Sequence, residues 1–162
     1  VNKAGSPSIR MVLMRGFDEN GAVFYTNFES RKGEELLATP NAAMLFHWKT
    51  LRRQIRLEGA VEEVSAEEAD AYFAARPRAS QIGAWASAQS RAMEGRFEFE
   101  AAIAKYTAKF GTGTVPRPPH WSGFRLKPTY FEFWNDKKFR LHERICYSLN
   151  ETNTWDVSEL YP

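Results

Sequence analysis

The chain has 162 residues, 43% of them hydrophobic and 14% aromatic, which suits one domain with a substantial core. Its net charge of only +2 argues against a general role on nucleic acid or on a membrane surface. The one cysteine, Cys146, excludes an intrachain disulfide and a cysteine metal cluster and fits a reducing cytoplasm, and no signal peptide or apolar run near the ~20 residues of a membrane span is visible.

The opening Val1-Asn2-Lys3-Ala4-Gly5-Ser6-Pro7 reads as a turn with no element before it, so the chain is expected to begin inside its domain. Ile9 to Arg15 reads as a strand, Phe17 to Gly21 as a turn in which Asn-Gly tolerates positive φ, and Ala22 to Asn27 as the returning strand. Ser30 is placed to cap a helix running through Leu37, which must stop before Pro40. Ala42 to Trp48 is apolar throughout and is expected to be a strand buried on both faces. From Arg53 to Val64 the pattern alternates, with Gln54, Arg56 and Glu58 on one side and Ile55 and Leu57 on the other.

Ser65-Ala66-Glu67-Glu68 matches a capping box. The helix behind it sets Ala69, Tyr72, Phe73 and Arg76 near one face and is expected to end at Pro77. Phe99, Ile103, Tyr106 and Phe110 mark an amphipathic helix stopped by Gly111 and Gly113. Val115-Pro116-Arg117-Pro118-Pro119 is a stiff connector. Strand-like runs follow at Gly123–Lys127, Tyr130–Trp134, Arg140–Tyr147 and Trp155–Leu160. Strands at both ends with helices between them predict an α+β fold around an antiparallel sheet, closed into a barrel that hides its edges. No Gly-x-Gly-x-x-Gly or Walker-type loop occurs, which disfavours Rossmann and P-loop readings.

Four cationic groups are candidates for anion binding. If Arg140-Leu141-His142-Glu143-Arg144 is extended, Arg140, His142 and Arg144 share a face, an arrangement that suits an anionic ligand or else carboxylates pairing on a solvated strand. Tyr72, Arg76 and Ser80 would make a phosphate cradle, unless Arg76 only complements a helix dipole. Arg31 and Lys32 oppose the dipole at a helix start, a cost that a phosphate docked there would offset. Arg52, Arg53 and Arg56 form the fourth group, or simply a charged edge strand. Trp85, Gln89, Ser90 and Trp134 offer ring faces and hydrogen bonds, or ordinary packing. His47 and His120 read as structural, and no histidine pair has metal-ligand spacing.

Taken in order, several stretches resemble the pyridoxamine/pyridoxine 5′-phosphate oxidase family, flavoproteins with an FMN-binding split β-barrel. They are Arg10-Met11-Val12-Leu13, Phe24-Tyr25-Thr26-Asn27, Glu29-Ser30-Arg31-Lys32-Gly33, Arg53-Gln54-Ile55-Arg56-Leu57-Glu58-Gly59 and Tyr72-Phe73. They continue with Arg76-Pro77-Arg78, Ser80-Gln81-Ile82-Gly83-Ala84-Trp85, Gln89-Ser90, Pro116 to Trp121, Glu132-Phe133-Trp134 and Arg140-Leu141-His142. The resemblance implies that Arg10, Met11, Val12, Leu13, Tyr25, Thr26, Arg31, Lys32, Gln54, Gln89, Ser90, Trp134 and Arg144 contact FMN, with Arg31 and Lys32 on its phosphate. It implies that Arg15, Tyr72, Arg76 and Ser80 hold the substrate phosphate, and that Arg140 and His142 hold the pyridine ring and act in catalysis.

The implied reaction is oxidation of pyridoxamine or pyridoxine 5′-phosphate to pyridoxal 5′-phosphate, with dioxygen as acceptor and hydrogen peroxide as product. The implied assembly is a homodimer with FMN between its subunits. A related oxidase of the phenazine-biosynthesis type and a non-catalytic FMN or pyridoxal phosphate binder are the alternatives. Arg15 stands where the family usually has Lys, Asp136 where it has Gly, Phe139 where it has Asn and Glu143 where it has Asp; His47 stands where Tyr is common. The family's leading helix, first strand and mobile N-terminal segment are absent from these residues.

Overall fold

The computed structural model describes residues 1–162. β1 (Met14–Asp18) and β2 (Gly21–Asn27) form a hairpin in which Asp18 faces Gly21 and its Oδ1 accepts from the Asn20 amide at 2.8 Å. There follow α1 (Arg31–Ala38), β3 (Asn41–Trp48), β4 (Arg53–Glu63), α2 (Ala66–Ala74), α3 (Arg78–Ala86) and α4 (Glu98–Phe110). β5 (Trp121–Asn135), β6 (Glu143–Leu149) and β7 (Trp155–Glu159) complete one seven-stranded sheet in which every pairing is antiparallel. Both expected caps form: Ser30 accepts from the Gly33 amide and Ser65 from the Glu68 amide.

β5 organises the sheet. One of its edges pairs with β4, while the other pairs first with β2 through Trp121–Leu126 and then with β6 through Tyr130–Asn135. The exchange of partners falls at Pro128, a residue with no amide hydrogen to offer a ladder. Opposite it the β4 register slips between Glu58 and Gly59. A Cβ on Gly59 would lie 1.9 Å from the Lys127 carbonyl oxygen, so only glycine fits this bulge.

The main core gathers Phe24 of β2, Leu36 of α1, Leu57 and Val61 of β4, and Phe124 and Leu126 of β5. Ala42, Met44 and Phe46 of β3 pack against it, so the sheet curls around one apolar centre. A second cluster joins Phe73 of α2, Ile82 of α3, Val115 and Trp121, flanked by Ile103, Tyr106 and Phe110 of α4. Each large side chain buried this way contributes about 1.5–3 kcal/mol.

The structure departs from the sequence reading in five places. Regular pairing begins at Met14 rather than Ile9, because Met11 and Leu13 point outward with no strand beside them. β3 ends the pairing path, so it alternates between exposed and half-buried side chains instead of being covered on both faces. α2 stops at Ala74, before Arg76, and Pro77 starts α3, an element the sequence reading lacked. The two runs around Pro128 are one long strand. Arg140 lies in a short 3-10 turn with φ of 61°, and β6 starts only at Glu143.

Candidate active site

A cavity of about 500 Å³ opens where β2, α2, α3 and the start of β5 meet. Tyr25 faces Gly123 across the β2–β5 ladder. A Cβ at Gly123 would come within 2.8 Å of the Tyr25 ring, so glycine there lets the ring lie against the sheet. Tyr25 stacks on Tyr72 with centroids 3.9 Å apart and on Trp121 at 5.3 Å. Burial, and then the Glu68 carboxylate that accepts its hydroxyl hydrogen at 3.4 Å, push the Tyr25 phenol up to about 12. The wall is therefore a rigid aromatic stack carrying hydroxyl groups, suited to a flat ring.

Arg76 and Ser80 enter the same cavity from either side of Pro77. The Arg76 guanidinium lies 4.6 Å above the Trp121 ring and 5.5 Å from that of Phe73. It has no carboxylate partner, and its Nη1 is buried without a hydrogen bond. Burial, and then the nearby Arg15, pull its pKa below the usual guanidinium value against an upward pull from Tyr72. A buried, unpaired donor is costly, and an anion arriving from solvent would relieve it. Arg15 reaches the Tyr72 ring at 5.9 Å, which puts a second cation at this end.

Lys32, in the first turn of α1, reaches the cavity from its other side. Its amine donates to Thr26 Oγ1 and meets no carboxylate. Burial, and then Arg10, hold it down at about 8. Thr26 Oγ1 in turn bonds Gln89 at 3.4 Å, and the Asn27 side chain holds the Ser87 carbonyl at 3.2 Å, tying the segment after α3 to β2. Arg10 and Arg31 are anchored differently. Both pair with Glu35, at 3.0 and 2.9 Å, and this buried carboxylate is held down at about 2 by Ser8, Arg31 and Arg10.

The remaining expected residues gather elsewhere. Gln54, Trp134 and Arg144 face one another across β4, β5 and β6, a row dictated by register. Two residues along the same face stands Glu132, buried, bonding Arg56 and Arg144 at 2.8 Å each. These side chains line a cleft of about 260 Å³. The His142 ring sits 4.6 Å from the Trp134 ring, and its Nδ1 is 3.1 Å from Asp136.

Met11, Val12, Leu13, Arg15, Tyr25, Thr26, Lys32, Tyr72, Arg76, Ser80 and Gln89 thus surround one cavity. Arg10 adjoins it from the neighbouring groove that Val12 and Lys32 also line. Arg31 and Ser90 lie outside its lining, the first exposed on Glu35 and the second in an exposed turn with φ of 71°. Gln54, Trp134 and Arg144 belong to the second group, with His142 against Trp134, while Arg140 stands exposed in the turn two residues before His142. Arg140, His142 and Arg144 do not share a strand face, because the chain turns through positive φ at Phe139 and Arg140 before β6 begins. Twelve residues of β5 separate Ser122, opposite Thr26, from Trp134, about 40 Å of strand. The two groups share no lining residue.

Three residues of these surroundings were not singled out in the sequence. Glu35 stands four residues after Arg31, a helical ion-pair spacing that could have revealed it. Glu132 shares a strand face with Trp134, which was a weaker signal. Trp121 meets Arg76 only through the tertiary fold.

Comparison with known proteins agrees with this architecture. The family model described as pyridoxamine 5′-phosphate oxidase matches residues 1–135, and the pyridoxine 5′-phosphate oxidase C-terminal dimerisation region matches residues 121–162. A pyridoxine/pyridoxamine 5′-phosphate oxidase from Mesorhizobium japonicum is 59% identical over the whole chain and 79% of the relative's length. One from Agrobacterium fabrum is 58% identical, again over the whole chain and 79% of the relative. Among solved structures, PhzG from Burkholderia lata 383, in complex with tetrahydrophenazine-1-carboxylic acid, superposes with a TM-score of 0.92 at 31% identity, over the whole chain and 79% of that protein. A pyridoxamine 5′-phosphate oxidase-related, FMN-binding protein from Nostoc punctiforme shares the fold, with a TM-score of 0.78 at 18% identity over the whole chain and 84% of that protein. With the two models together spanning the chain and close relatives along its full length, the chain belongs to the pyridoxamine 5′-phosphate oxidase family and is an oxidoreductase.

Proposed function

We propose that a homodimer of this chain binds FMN and oxidises pyridoxamine 5′-phosphate and pyridoxine 5′-phosphate to pyridoxal 5′-phosphate, reducing dioxygen to hydrogen peroxide. The observation that carries this reading is one aromatic-walled cavity with cations that lack carboxylate partners at both ends, Arg76 with Arg15 at one and Lys32 at the other. Two separate anionic groups, one on a cofactor and one on a substrate, suit that arrangement. The match to a dimerisation region supports the assembly. The proposed setting is the cytoplasm, in keeping with the free Cys146.

The chain's residues divide the work. Lys32, with Arg10 and Arg31 held on Glu35, takes the cofactor phosphate. Thr26, Tyr25, Gln89, Ser90 and the Met11–Leu13 backbone hold the rest of that molecule, completed by Gln54, Trp134 and Arg144 of a second copy. Tyr72, Arg76, Ser80 and Arg15 take the substrate phosphate, while Arg140 and His142 of the second copy orient the pyridine ring. FMN, when bound, supplies the hydride acceptor and the route to dioxygen. The protein holds the substrate's reacting carbon in place and shields it from water. Anaerobic addition of pyridoxamine 5′-phosphate to the FMN-loaded dimer should bleach its yellow colour, and air should restore it. A flavin that stays yellow at saturating substrate would leave a non-catalytic binder.

The likeness to PhzG raises a second reading, an oxidase of a carboxylated ring system. Tyr72, Arg76 and Ser80 gathered around one guanidinium favour the phosphate ester. Bleaching by a tetrahydrophenazine carboxylate and not by pyridoxine 5′-phosphate would reverse that preference.

The Lys32 amine gives a pH test. Only its protonated form attracts a phosphate, and it loses that proton near pH 8 rather than at 10.5. FMN affinity of the ligand-free protein should therefore fall as pH rises through about 8. Lys32→Met should lower affinity at pH 7 by about tenfold or more and flatten the pH step. Fluorescence titration of FMN at pH 7 and 9 reads both effects. An equal step in the variant would place the titrating group elsewhere.

A further inference from the structure

The cations in and beside this cavity are anchored in two distinct ways, and the difference bears on substrate choice. Arg10 and Arg31 share the Glu35 carboxylate. Arg76 has no ion pair and lies instead over the face of Trp121, 4.6 Å from the ring centroid. A carboxylate would hold a guanidinium in place but occupy its N–H donors and cancel its charge. An indole face also holds a guanidinium, through its quadrupole, and leaves every N–H free. The unbonded Nη1 of Arg76 is the direct mark of that arrangement.

Trp121 is itself fixed. It is 6% exposed, its amide donates to the Pro118 carbonyl at 3.0 Å, and its carbonyl accepts from Arg117 at 2.8 Å. Arg117 also pairs with Asp70 at 2.5 Å, on the helix that carries Tyr72 and Phe73. The Phe73 edge packs against the indole at 69°, with centroids 5.1 Å apart. The indole plane is thus locked to α2, immediately upstream of Arg76, by a hydrogen-bonded path and a packed ring.

We propose that Trp121 is a positioning residue that holds Arg76 in place with its charge and donors unspent, and so sets the preference of this site for a phosphate monoester. The proposal rests on the reading that Arg76 meets the substrate phosphate, so Arg76→Leu serves as its control.

The test uses FMN-saturated holoenzyme with three variants, Trp121→Phe, Trp121→Leu and Arg76→Leu. The measurements are KM and kcat for pyridoxine 5′-phosphate, the competitive Ki of inorganic phosphate, and the Kd of pyridoxal 5′-phosphate by equilibrium dialysis. A benzene ring keeps the packing but weakens the cation–π contact. Trp121→Phe should therefore raise KM, Ki and Kd together by about threefold, and Trp121→Leu by about tenfold or more, while kcat holds within about twofold. The parallel rise in the Ki of bare phosphate separates lost anion grip from general damage, which would lower kcat instead. Trp121→Phe with wild-type Ki and Kd would overturn the proposal, as would a loss expressed only in kcat. If Arg76→Leu also leaves Ki and Kd unchanged, the placement of the substrate phosphate fails first, and the role of Trp121 falls with it.

Discussion

Arg76→Leu is expected to raise KM for pyridoxine 5′-phosphate by about a hundredfold, since a charge-assisted, two-pronged contact to phosphate is worth roughly 3 kcal/mol or more. The free protein holds this guanidinium half-buried, with Nη1 unbonded and its pKa pulled down by burial. Its desolvation is therefore met during folding, before any ligand arrives, and the phosphate encounters a donor set that needs no rearrangement. The same logic gives the variant an opposite sign in stability. Leucine removes a buried, unpaired charge and retains contact with Phe73 and Trp121, so the melting temperature of the ligand-free protein should hold or rise. Weaker binding without loss of stability is the signature of a residue placed for a ligand. A lower melting temperature with an unchanged KM would mark Arg76 as a structural residue. Steady-state kinetics and a thermal melt on the same preparation separate the two.

Local chemistry made much of the fold legible. The caps at Ser30 and Ser65, the Asn20-Gly21 turn and the alternation through Ile55 and Leu57 are each written within a few residues, and each appears where expected. What was misread depended on distant partners. β3 is as apolar as a central strand, yet it ends the pairing path, with β4 on one edge and no strand on the other, and its Leu45 and Trp48 are exposed in the single chain. The helix after Pro77 was missed because Arg-Ala-Ser-Gln-Ile-Gly-Ala-Trp-Ala has a weak apolar stripe and five small residues. It is stabilised by Ile82 in the second core cluster and by Gln81, which donates to the Phe73 and Ala74 carbonyls.

The candidate site divides the same way. The residues surrounding Tyr25, Tyr72 and Arg76 come from five separated segments, and resemblance rather than spacing connected most of them. The face drawn for Arg140, His142 and Arg144 failed because it assumed an extended backbone through a turn with φ near 60° at two successive residues. Of the supports, Glu35 stands outside the resembling stretches, and Glu132 and Trp121 lie within them but were given no role. Their importance follows from whom they touch, which no local pattern states.

The central claim is that each site is built from two copies. One chain carries the cavity with Arg76, and about 40 Å further along β5 it carries the row ending at Arg144, with His142 beside it. A dimer with two-fold symmetry pairs unlike halves twice. Defects in different halves should therefore complement each other. Arg76→Leu disables the first half. Arg140→Asn combined with His142→Leu disables the second, with asparagine chosen because it tolerates the positive φ at that position. Each variant alone should be nearly inactive at substrate concentrations that saturate the wild type. When the two are co-expressed and mixed at random, half of the dimers carry one intact site, so activity should return to about a quarter of the wild-type level. Measuring that recovery on purified, FMN-loaded mixtures is the most direct test. Activity near one quarter is the result predicted here, and activity no greater than the average of the two parents would show that each site is assembled within a single chain.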